Sequence, residues 1–457
     1  MEQKPSFASV LHNRGFLNLW VNQILVQLSY NALNFALIIW VFQLTGSNTA
    51  VAALLLAVYL PAVLLGLFTG VLVDLMDRKK IIMLIDFFLC LSFFSLIFFK
   101  GSYPAILAVA FFVNALGQFY APAEASAIPL IVKRPQLLTA NSFFSITLYS
   151  CFLLGFGLAG PFINHFGINM VFALGGLFLA LAFLLAFTFP SIRAKPDEQG
   201  RKLVLALKKR DYNKIWEVGL YEMIETANLI RGKLPVLSSI LILAGVQMVI
   251  GVLAVLMPAL LERTLHIKAT DASYILIIPL GAGIITGGLI LSRIGHLLVR
   301  RRVVAKAILA GGLLFSLMGV APIISPAIKY LPRPEPLPFF YQPPLSAVAA
   351  FSSFLLGMVM VSILVPSQTV LQENTPEDMR GKVFSVLGVA MAGLSLIPVL
   401  LSGIMADIFG PTPIFLALGI IIMLAGIFGL KPSLFFPKTS LSYRVREFLG
   451  LGHWEGK

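Results

Sequence analysis

Long apolar runs alternate with short polar segments along most of this chain. A helix needs roughly 20 mainly apolar residues to cross the hydrocarbon core of a bilayer. The runs that meet this requirement are residues 16–42, 49–73, 80–99, 103–130, 138–163, 169–190, 236–261, 271–292, 303–325, 347–371, 382–407 and 411–431. The pattern therefore predicts an all-α integral membrane protein with twelve transmembrane helices.

The two halves of the chain carry similar motifs at corresponding places. Residues 135–141, PQLLTAN, match residues 376–382, PEDMRGK, and each is followed closely by Phe-Ser. Further matches join Gly160, Phe166 and Gly167 to Gly403, Phe409 and Gly410, and the GxxxG pair Gly66 and Gly70 to Gly283 and Gly287. We therefore expect two six-helix bundles related by a parallel pseudo-repeat, and a GxxxG pair allows close helix approach. The predicted divisions are a bundle at 1–190, a linker at 191–235, a bundle at 236–433 and a tail at 434–457.

The predicted linker contains one helical pattern. Trp216, Leu220, Met223, Ala227 and Ile230 recur at helical spacing, and polar residues occupy the rest of the wheel. Basic residues precede this segment, so we expect an amphipathic helix on the inner membrane surface. A site for a regulatory partner is an alternative, although a tether between two bundles requires no partner.

Composition and charge agree with a membrane protein and orient it. Hydrophobic residues make up 58% of the 457 residues, charged residues only 12%, and the mean hydropathy is +0.93. All but five of the 34 Lys and Arg residues fall in segments on one predicted side. The exceptions are Lys100, Arg263, Lys268, Lys329 and Arg333. The positive-inside rule therefore places both termini and the linker in the cytoplasm, with the chain in the cell membrane. Because topology explains the net charge of +14, we expect no nucleic-acid partner.

Several familiar signals for cofactors and metals are absent or lack their context. Cys90 and Cys151 lie inside apolar runs, the five histidines show no ligand spacing, and no P-loop pattern occurs. The glycines at 155, 157 and 160 spell GxGxxG, but no strand precedes them and close helix packing explains them better. We therefore expect no cofactor, no metal and no ATP hydrolysis by this chain.

The turn between the second and third apolar runs carries the most specific motif. Gly70, Asp74, Arg78 and Lys79 are spaced as in the loop signature of the major facilitator superfamily, although Asp77 stands where a small residue is usual. Three further segments, TGSNTAVA, YAPAEASAIPLIV and LQENTPEDMRGKVFSV, resemble bacterial drug-efflux members, the branch that includes macrolide and siderophore exporters. The resemblance covers nearly the whole chain and implies a transporter with a substrate site between its two halves.

The resemblance also implies a conformational latch. In the family, the Asp of the turn approaches the start of the eleventh helix, which here carries Arg380 and Gly381. The positive end of that helix would attract the Asp74 carboxylate, with Gly70 and Arg78 as the other latch residues. Leu291 occupies the matching position in the second half, so the latch would be asymmetric.

Two acids lie inside predicted membrane helices and are the candidates for proton coupling. Glu124 lies past the middle of the fourth helix, and Asp86 lies about one turn into the third. An intramembrane carboxylate must be paired, hydrated or protonated, so each is a candidate functional group. For Glu124 the alternative is a structural ion pair. For Asp86 we expect pairing with a basic loop residue, because it lies near the cytoplasmic surface.

Amide side chains mark a candidate substrate cavity. The first helix carries Gln23, Gln27, Tyr30, Asn31 and Asn34 on one stripe, and Asn114 and Gln118 are four apart in the fourth. The candidates for the cavity are Gln27, Asn31, Asn34, Asn114, Gln118 and Gln247. Such groups avoid lipid, but hydrogen bonds between helices explain them as well as contact with substrate does.

Together these patterns predict a monomeric secondary transporter that exports amphipathic small molecules by alternating access, in antiport with protons. A lipid or lysolipid flippase and a narrow-substrate exporter, such as one for siderophores, are the alternatives of the same fold. An integral-membrane enzyme would need clustered acids or histidines at matching depth, whereas the two intramembrane acids are separated in sequence. A sensor would be expected to carry extra soluble domains, and the short segment after the last helix argues against it.

Overall fold

The computed structural model of the chain describes residues 10–99, 101–190, 226, 228, 230–294, 299–328, 344–376 and 379–430. Within these residues, twelve helices are long and apolar enough to cross a membrane. The α-helices of these spans are α1 (Arg14–Thr45), α2 (Asn48–Leu75), α3 (Arg78–Phe98), α4 (Tyr103–Ile131), α5 (Leu137–Phe166), α6 (Ile168–Ala186), α7 (Leu234–Ala259), α8 (Ile278–Ile294), α9 (Arg300–Ile328), α10 (Pro344–Glu373), α11 (Arg380–Phe409) and α12 (Pro411–Leu430). The seventh span continues beyond α7 to Thr264, and the eighth begins before α8, at Ala269. The all-α membrane fold predicted from the apolar runs is confirmed.

The course of the chain between α7 and α8 is less regular than the apolar runs indicated. The chain leaves α7 as a π-helical turn at Leu260–Thr264, where the Leu265 N–H donates to the Leu260 carbonyl at 3.0 Å. A 3₁₀ turn and a second π turn, Ser273–Ile277, lead into α8. The first wide turn follows Pro258, which has no N–H to give to the regular ladder.

The helices group into two units. The first holds the described residues of Met1–Thr45 and Ala53–Ala227, and the second those of Gly46–Ala52 and Asn228–Lys457. In the first unit α1 packs on α5 and α6, and α3 packs on α4 and α6. In the second unit α7 packs on α11, α8 on α10, and α9 on α12. The pairs α1·α5 and α3·α6 thus recur as α7·α11 and α9·α12.

The parallel repeat is also visible in the links after the fifth helix of each half. Gly167 joins α5 to α6 with φ 78° and ψ 165°, and Gly410 joins α11 to α12 with φ 82° and ψ 165°. A side chain disfavours positive φ, so glycine is needed at both links. The sequence match between these two glycines therefore reflects one local structure used twice.

The second-half GxxxG pair lies at a close helix crossing. A Cβ added at Gly283 would lie 1.8 Å from the carbonyl oxygen of Phe354 in α10, and one added at Gly357 would lie 2.0 Å from the Leu280 carbonyl oxygen. These distances mean that the backbones of α8 and α10 touch, which small residues permit.

Most of the predicted linker helix lies outside the described residues. Ile230, at its end, is buried in a cluster with Val236, Leu371 and Val383 of the second unit. The interpretation of the linker as a surface helix therefore stays a prediction.

Candidate functional site

Asn22 of α1 is the centre of a buried hydrogen-bond network in the first unit. Its side chain is fully buried. The Nδ2 group donates to Asp86 Oδ2 at 2.7 Å and to the Ala182 carbonyl oxygen at 3.0 Å, and Oδ1 accepts from the Tyr120 hydroxyl at 2.8 Å. The amide therefore uses both N–H groups and its oxygen, and it joins α1 to α3, α4 and α6.

Tyr120 extends this network to Glu124. Its hydroxyl lies 3.3 Å from Glu124 Oε1, one turn further along α4, and the Glu124 side chain is 6% exposed. A phenol has one proton and can also accept a hydrogen bond. When Glu124 is protonated it can donate to Tyr120, which then donates to Asn22. When Glu124 is ionised, Asn22 and Glu124 compete for the single Tyr120 proton. The pattern of hydrogen bonds therefore depends on whether Glu124 carries a proton.

Asp86 forms the other end of the network and corrects one expectation. Its side chain is fully buried, and Oδ1 has no hydrogen-bond partner among the described residues. We expected a basic loop residue as its partner, but the partner is Asn22 of α1. Lys79, in the first turn of α3, is engaged elsewhere: its Nζ donates to the carbonyls of Phe187 and Phe189, at 2.7 and 2.6 Å. The lysine thus caps the end of α6 and leaves the acid to a neutral amide.

The structure brings together the two acids that the sequence separates. Asp86, Asn22, Tyr120 and Glu124 form one continuous chain of contacts, and in the described part of the protein neither acid has an ion pair. The expected alternative of an ion pair at Glu124 is therefore replaced by a tyrosine contact. Sequence reasoning missed Asn22 and Tyr120. The spacing of four between Tyr120 and Glu124 was the available signal, because such residues share a helix face.

The amide row of α1 divides into bonded and unbonded members. The Tyr30 hydroxyl donates to Asn114 Oδ1 of α4, which is an interhelical hydrogen bond. Asn31 and Asn34 instead donate to backbone carbonyls one turn earlier in α1, at 2.8 and 3.0 Å. Gly155 of the GxGxxG segment packs here, since a Cβ on it would lie 2.6 Å from Asn31 Cβ.

Two of the predicted cavity amides have unengaged side chains. Gln27 of α1 and Gln118 of α4 are half-buried, and among the described residues neither amide group has a hydrogen-bond partner. Gln247 is half-buried in α7 of the second unit and takes part in other contacts. Gln27 and Gln118 are therefore the amides best able to contact a substrate.

The residues of the predicted latch are placed in part. Gly70 and Asp74 lie in α2, but the Asp74 side chain is outside what the structure describes. Arg78 is 2% exposed, and its Nε lies 3.4 Å from Ser126 Oγ of α4. Arg380 and Gly381 open α11 in the second unit and are exposed. The latch would join the two units and stays a prediction.

Asp77 stands where the loop signature usually has a small residue, and the structure explains this difference. Asp77 is the N-cap of α3, and its side chain accepts a hydrogen bond from the Lys79 N–H at 3.1 Å. A carboxylate at this position satisfies a free N–H of the first turn and complements the helix dipole. Asp77 therefore has a structural role at a position where a small residue is usual: its carboxylate caps the start of α3.

A second group of hydrogen bonds, formed at the start of α2 with the single acid Asp407, was not predicted from the sequence. Asp407 near the end of α11 accepts hydrogen bonds from the Ser47 hydroxyl at 2.6 Å, the Asn48 N–H at 2.8 Å and the Thr49 N–H at 2.9 Å. The Asn48 amide and the Thr49 hydroxyl donate to it as well, at 2.9 and 2.7 Å. All these residues belong to the second unit, which includes Gly46–Ala52. The carboxylate therefore caps the N-terminus of α2 from 358 residues away.

The sequence of this chain is similar to one protein family and to individual proteins of low sequence identity. The family profile of the Major Facilitator Superfamily matches residues 19–392. Macrolide efflux protein A of Streptococcus pyogenes is 24% identical over 424 residues, which cover 90% of this chain and 94% of that protein. The uncharacterized MFS-type transporter YfiS of Bacillus subtilis (strain 168) is 22% identical over 432 residues, covering 93% and 94%.

Solved structures are similar in fold. An auto-inhibited POT family peptide transporter superposes with a TM-score of 0.68 at 14% identity, over 93% of this chain and 97% of that one. The nucleoside transporter NupG superposes with a TM-score of 0.63 at 12% identity, over 91% and 98%. At these identities the likeness concerns the fold alone. The family profile points to a transporter rather than an enzyme.

Proposed function

Because the chain belongs to the Major Facilitator Superfamily and is a multi-pass membrane transporter, we propose that it exports amphipathic small molecules by alternating access in exchange for protons. The similarity to a macrolide efflux protein over 90% of the chain supports efflux of such compounds. The observation that carries the proton coupling is the buried chain from Asp86 through Asn22 and Tyr120 to Glu124.

The chemistry of this network suits a site that gains and loses a proton. Neither acid has a cation beside it in the described residues, so a proton is what can neutralise either one within the first unit. One proton on Glu124 changes which acceptor Tyr120 serves. That change reaches Asn22, and through Asn22 it reaches Asp86. The protonation state of Glu124, at one end of the network, is thereby linked to the hydrogen bonding of Asp86 at the other end.

The network shares its helices with the unengaged amides. Gln27 lies five residues after Asn22 on α1, and Gln118 lies two residues before Tyr120 on α4. A change in the hydrogen bonds between α1 and α4 would therefore alter the spacing of the two amides. We propose that this shared framework couples the proton to the substrate, with Gln27 and Gln118 contacting polar groups of the cargo.

Uptake into inside-out vesicles tests this proposal. A fluorescent lipophilic cation or a labelled macrolide is added outside vesicles that have an acid interior, and uptake by the wild type is compared with uptake by Glu124→Gln and Asp86→Asn. Glu373→Gln is the matched control, because Glu373 is an exposed acid paired with Arg300. We expect gradient-dependent uptake in the wild type and the control, and its loss in Glu124→Gln.

Three outcomes would contradict parts of the proposal. Uptake that needs no proton gradient would exclude antiport. Uptake that depends on the gradient but persists in both buried-acid variants would move the coupling site elsewhere. If neither compound is transported, uptake of a fluorescent lysolipid would support the flippase alternative, and transport of a chelated iron compound alone would support a narrow-substrate exporter.

A further inference from the structure

Three consecutive arginines open α9, and their side chains go to different places. Arg300 forms two hydrogen bonds with Glu373 at the end of α10, at 2.5 and 3.1 Å. The Arg301 guanidinium reaches the Gly429 carbonyl oxygen near the end of α12, at 3.5 Å. These two cations therefore hold the end of α9 against its neighbours. Arg302 does neither.

Arg302 and Lys306 form a second, unpaired group. They are four residues apart, so they lie on one face of α9. Both are exposed, and neither has a hydrogen-bond or ion-pair partner in the part of the chain that the structure describes. Like charges at this spacing repel each other. An anion that lies between the two side chains would relieve this repulsion.

The two cations border a cleft between α9 and α10. Its volume is about 570 Å³, within the range of small-ligand sites, which is roughly 300–1,000 Å³. Arg302 and Lys306 line one part, and the rest is mainly apolar, from Val299, Val303, Met358 and Val359. The positive end of the helix dipole at the start of α9 adds to the attraction for an anion. The cleft thus combines a cationic edge with an apolar floor.

The location of the cleft indicates what kind of molecule reaches it. Arg302 and Lys306 lie in the first two turns of α9, at the end of the helix that the distribution of Lys and Arg places in the cytoplasm. The deeper apolar residues then lie at the level of the acyl chains. A soluble anion would use the cations but gain nothing from the apolar floor, whereas a phospholipid uses both.

We propose that this cleft binds an anionic phospholipid of the cytoplasmic leaflet. The lipid phosphate lies between Arg302 and Lys306, and one acyl chain runs over Val303, Met358 and Val359. Basic clefts between transmembrane helices on the cytoplasmic side suit acidic headgroups in this way. The site belongs to the second unit alone and does not depend on the identity of the cargo or on proton coupling.

Native mass spectrometry of the purified full-length protein tests the proposal directly. The protein is titrated in detergent with phosphatidylglycerol or with phosphatidylcholine of the same chains. The test variant is Arg302→Gln/Lys306→Gln. The control is Lys80→Gln/Arg293→Gln, which removes the same charge from exposed positions on the same predicted side. We expect phosphatidylglycerol to bind the wild type and the control alike, and the test variant roughly tenfold or more weakly.

Other results would overturn the proposal. Equal binding of phosphatidylglycerol by the test and control variants would exclude these cations as the site. Equal binding of both lipids by the wild type would exclude charge recognition, and displacement of phosphatidylglycerol by millimolar inorganic phosphate would indicate a site for a soluble anion. If the double variant does not fold, Val303→Trp fills the apolar floor and leaves both charges. It must then lose lipid binding, and unchanged binding would contradict the proposal.

Discussion

The buried network makes a quantitative prediction about Asn22 and Asp86. Asn22→Leu keeps the volume of the side chain nearly unchanged but removes its hydrogen bonds to Asp86, Tyr120 and Ala182. The Tyr120 hydroxyl can still donate a hydrogen bond to Glu124. The Ala182 carbonyl lies within α6, where it can accept a backbone hydrogen bond of the helix. Asp86 is therefore the group left without a described partner, since its Oδ1 already has none.

The expected loss of stability follows from this one unpaired carboxyl group. A buried polar group that loses its partner costs about 1–3 kcal/mol. We expect Asn22→Leu to lower stability by about that amount. Asp86→Leu in the same protein removes the stranded group. The double variant should then be more stable than Asn22→Leu alone, with a coupling energy of about 0.5–3 kcal/mol.

The two native cysteines provide the assay. Cys151 is buried and Cys90 is half-buried, and the chain contains no others. A dye that fluoresces on reaction with thiols therefore reports unfolding of the purified protein in detergent as the temperature rises. The apparent melting temperature should fall by a few degrees in Asn22→Leu and recover in the double variant. If the effects of the two substitutions simply add, the hydrogen-bonded network does not act as a unit and the reasoning is wrong.

Three further substitutions test other contacts of the fold. Asp407→Asn leaves one oxygen for the five donors at the start of α2, so we expect it to lower the free energy of unfolding by about 1–3 kcal/mol. The melting temperature of the variant measures this loss, and an unchanged value would show that the cap is replaceable. Gly283→Ala places a Cβ 1.8 Å from a backbone oxygen, so we expect a large loss of monodisperse protein in gel filtration, whereas Gly245→Ala, with no atom within 4 Å, should behave as the wild type. Lys79→Met removes the cap on α6 and should destabilise by less than about 1 kcal/mol, but more than Lys80→Met in the same melting assay.

The sequence predicted the helices well because the bilayer sets their length and apolarity. The predicted fourth run begins at residue 103, where α4 begins, and the glycine match between 167 and 410 correctly indicated the repeat. The wide turns after Ala259 were not predicted, because a π turn changes the hydrogen-bond register of a helix without changing its hydropathy.

Side-chain partners were harder to predict than helices. Asp86 and Glu124 stood out as acids in apolar runs, but their link runs through Asn22, which is 64 positions from Asp86 and 98 from Tyr120. Such contacts depend on how three helices cross, and no local pattern encodes that. The same holds for Asp407 and its partners 358 to 360 residues away. Asp77 differs, since its role as a helix cap is local and was readable from its position before Arg78.

Proton flux driven by substrate is the most direct test of the central claim. The purified protein is reconstituted into liposomes that contain a pH-sensitive dye, and a macrolide gradient is imposed with no initial pH difference. If the buried acids couple protons to export, the gradient should drive proton movement in the opposite direction in the wild type and in Glu373→Gln, but not in Glu124→Gln. Macrolide movement without any change in dye fluorescence would contradict the account.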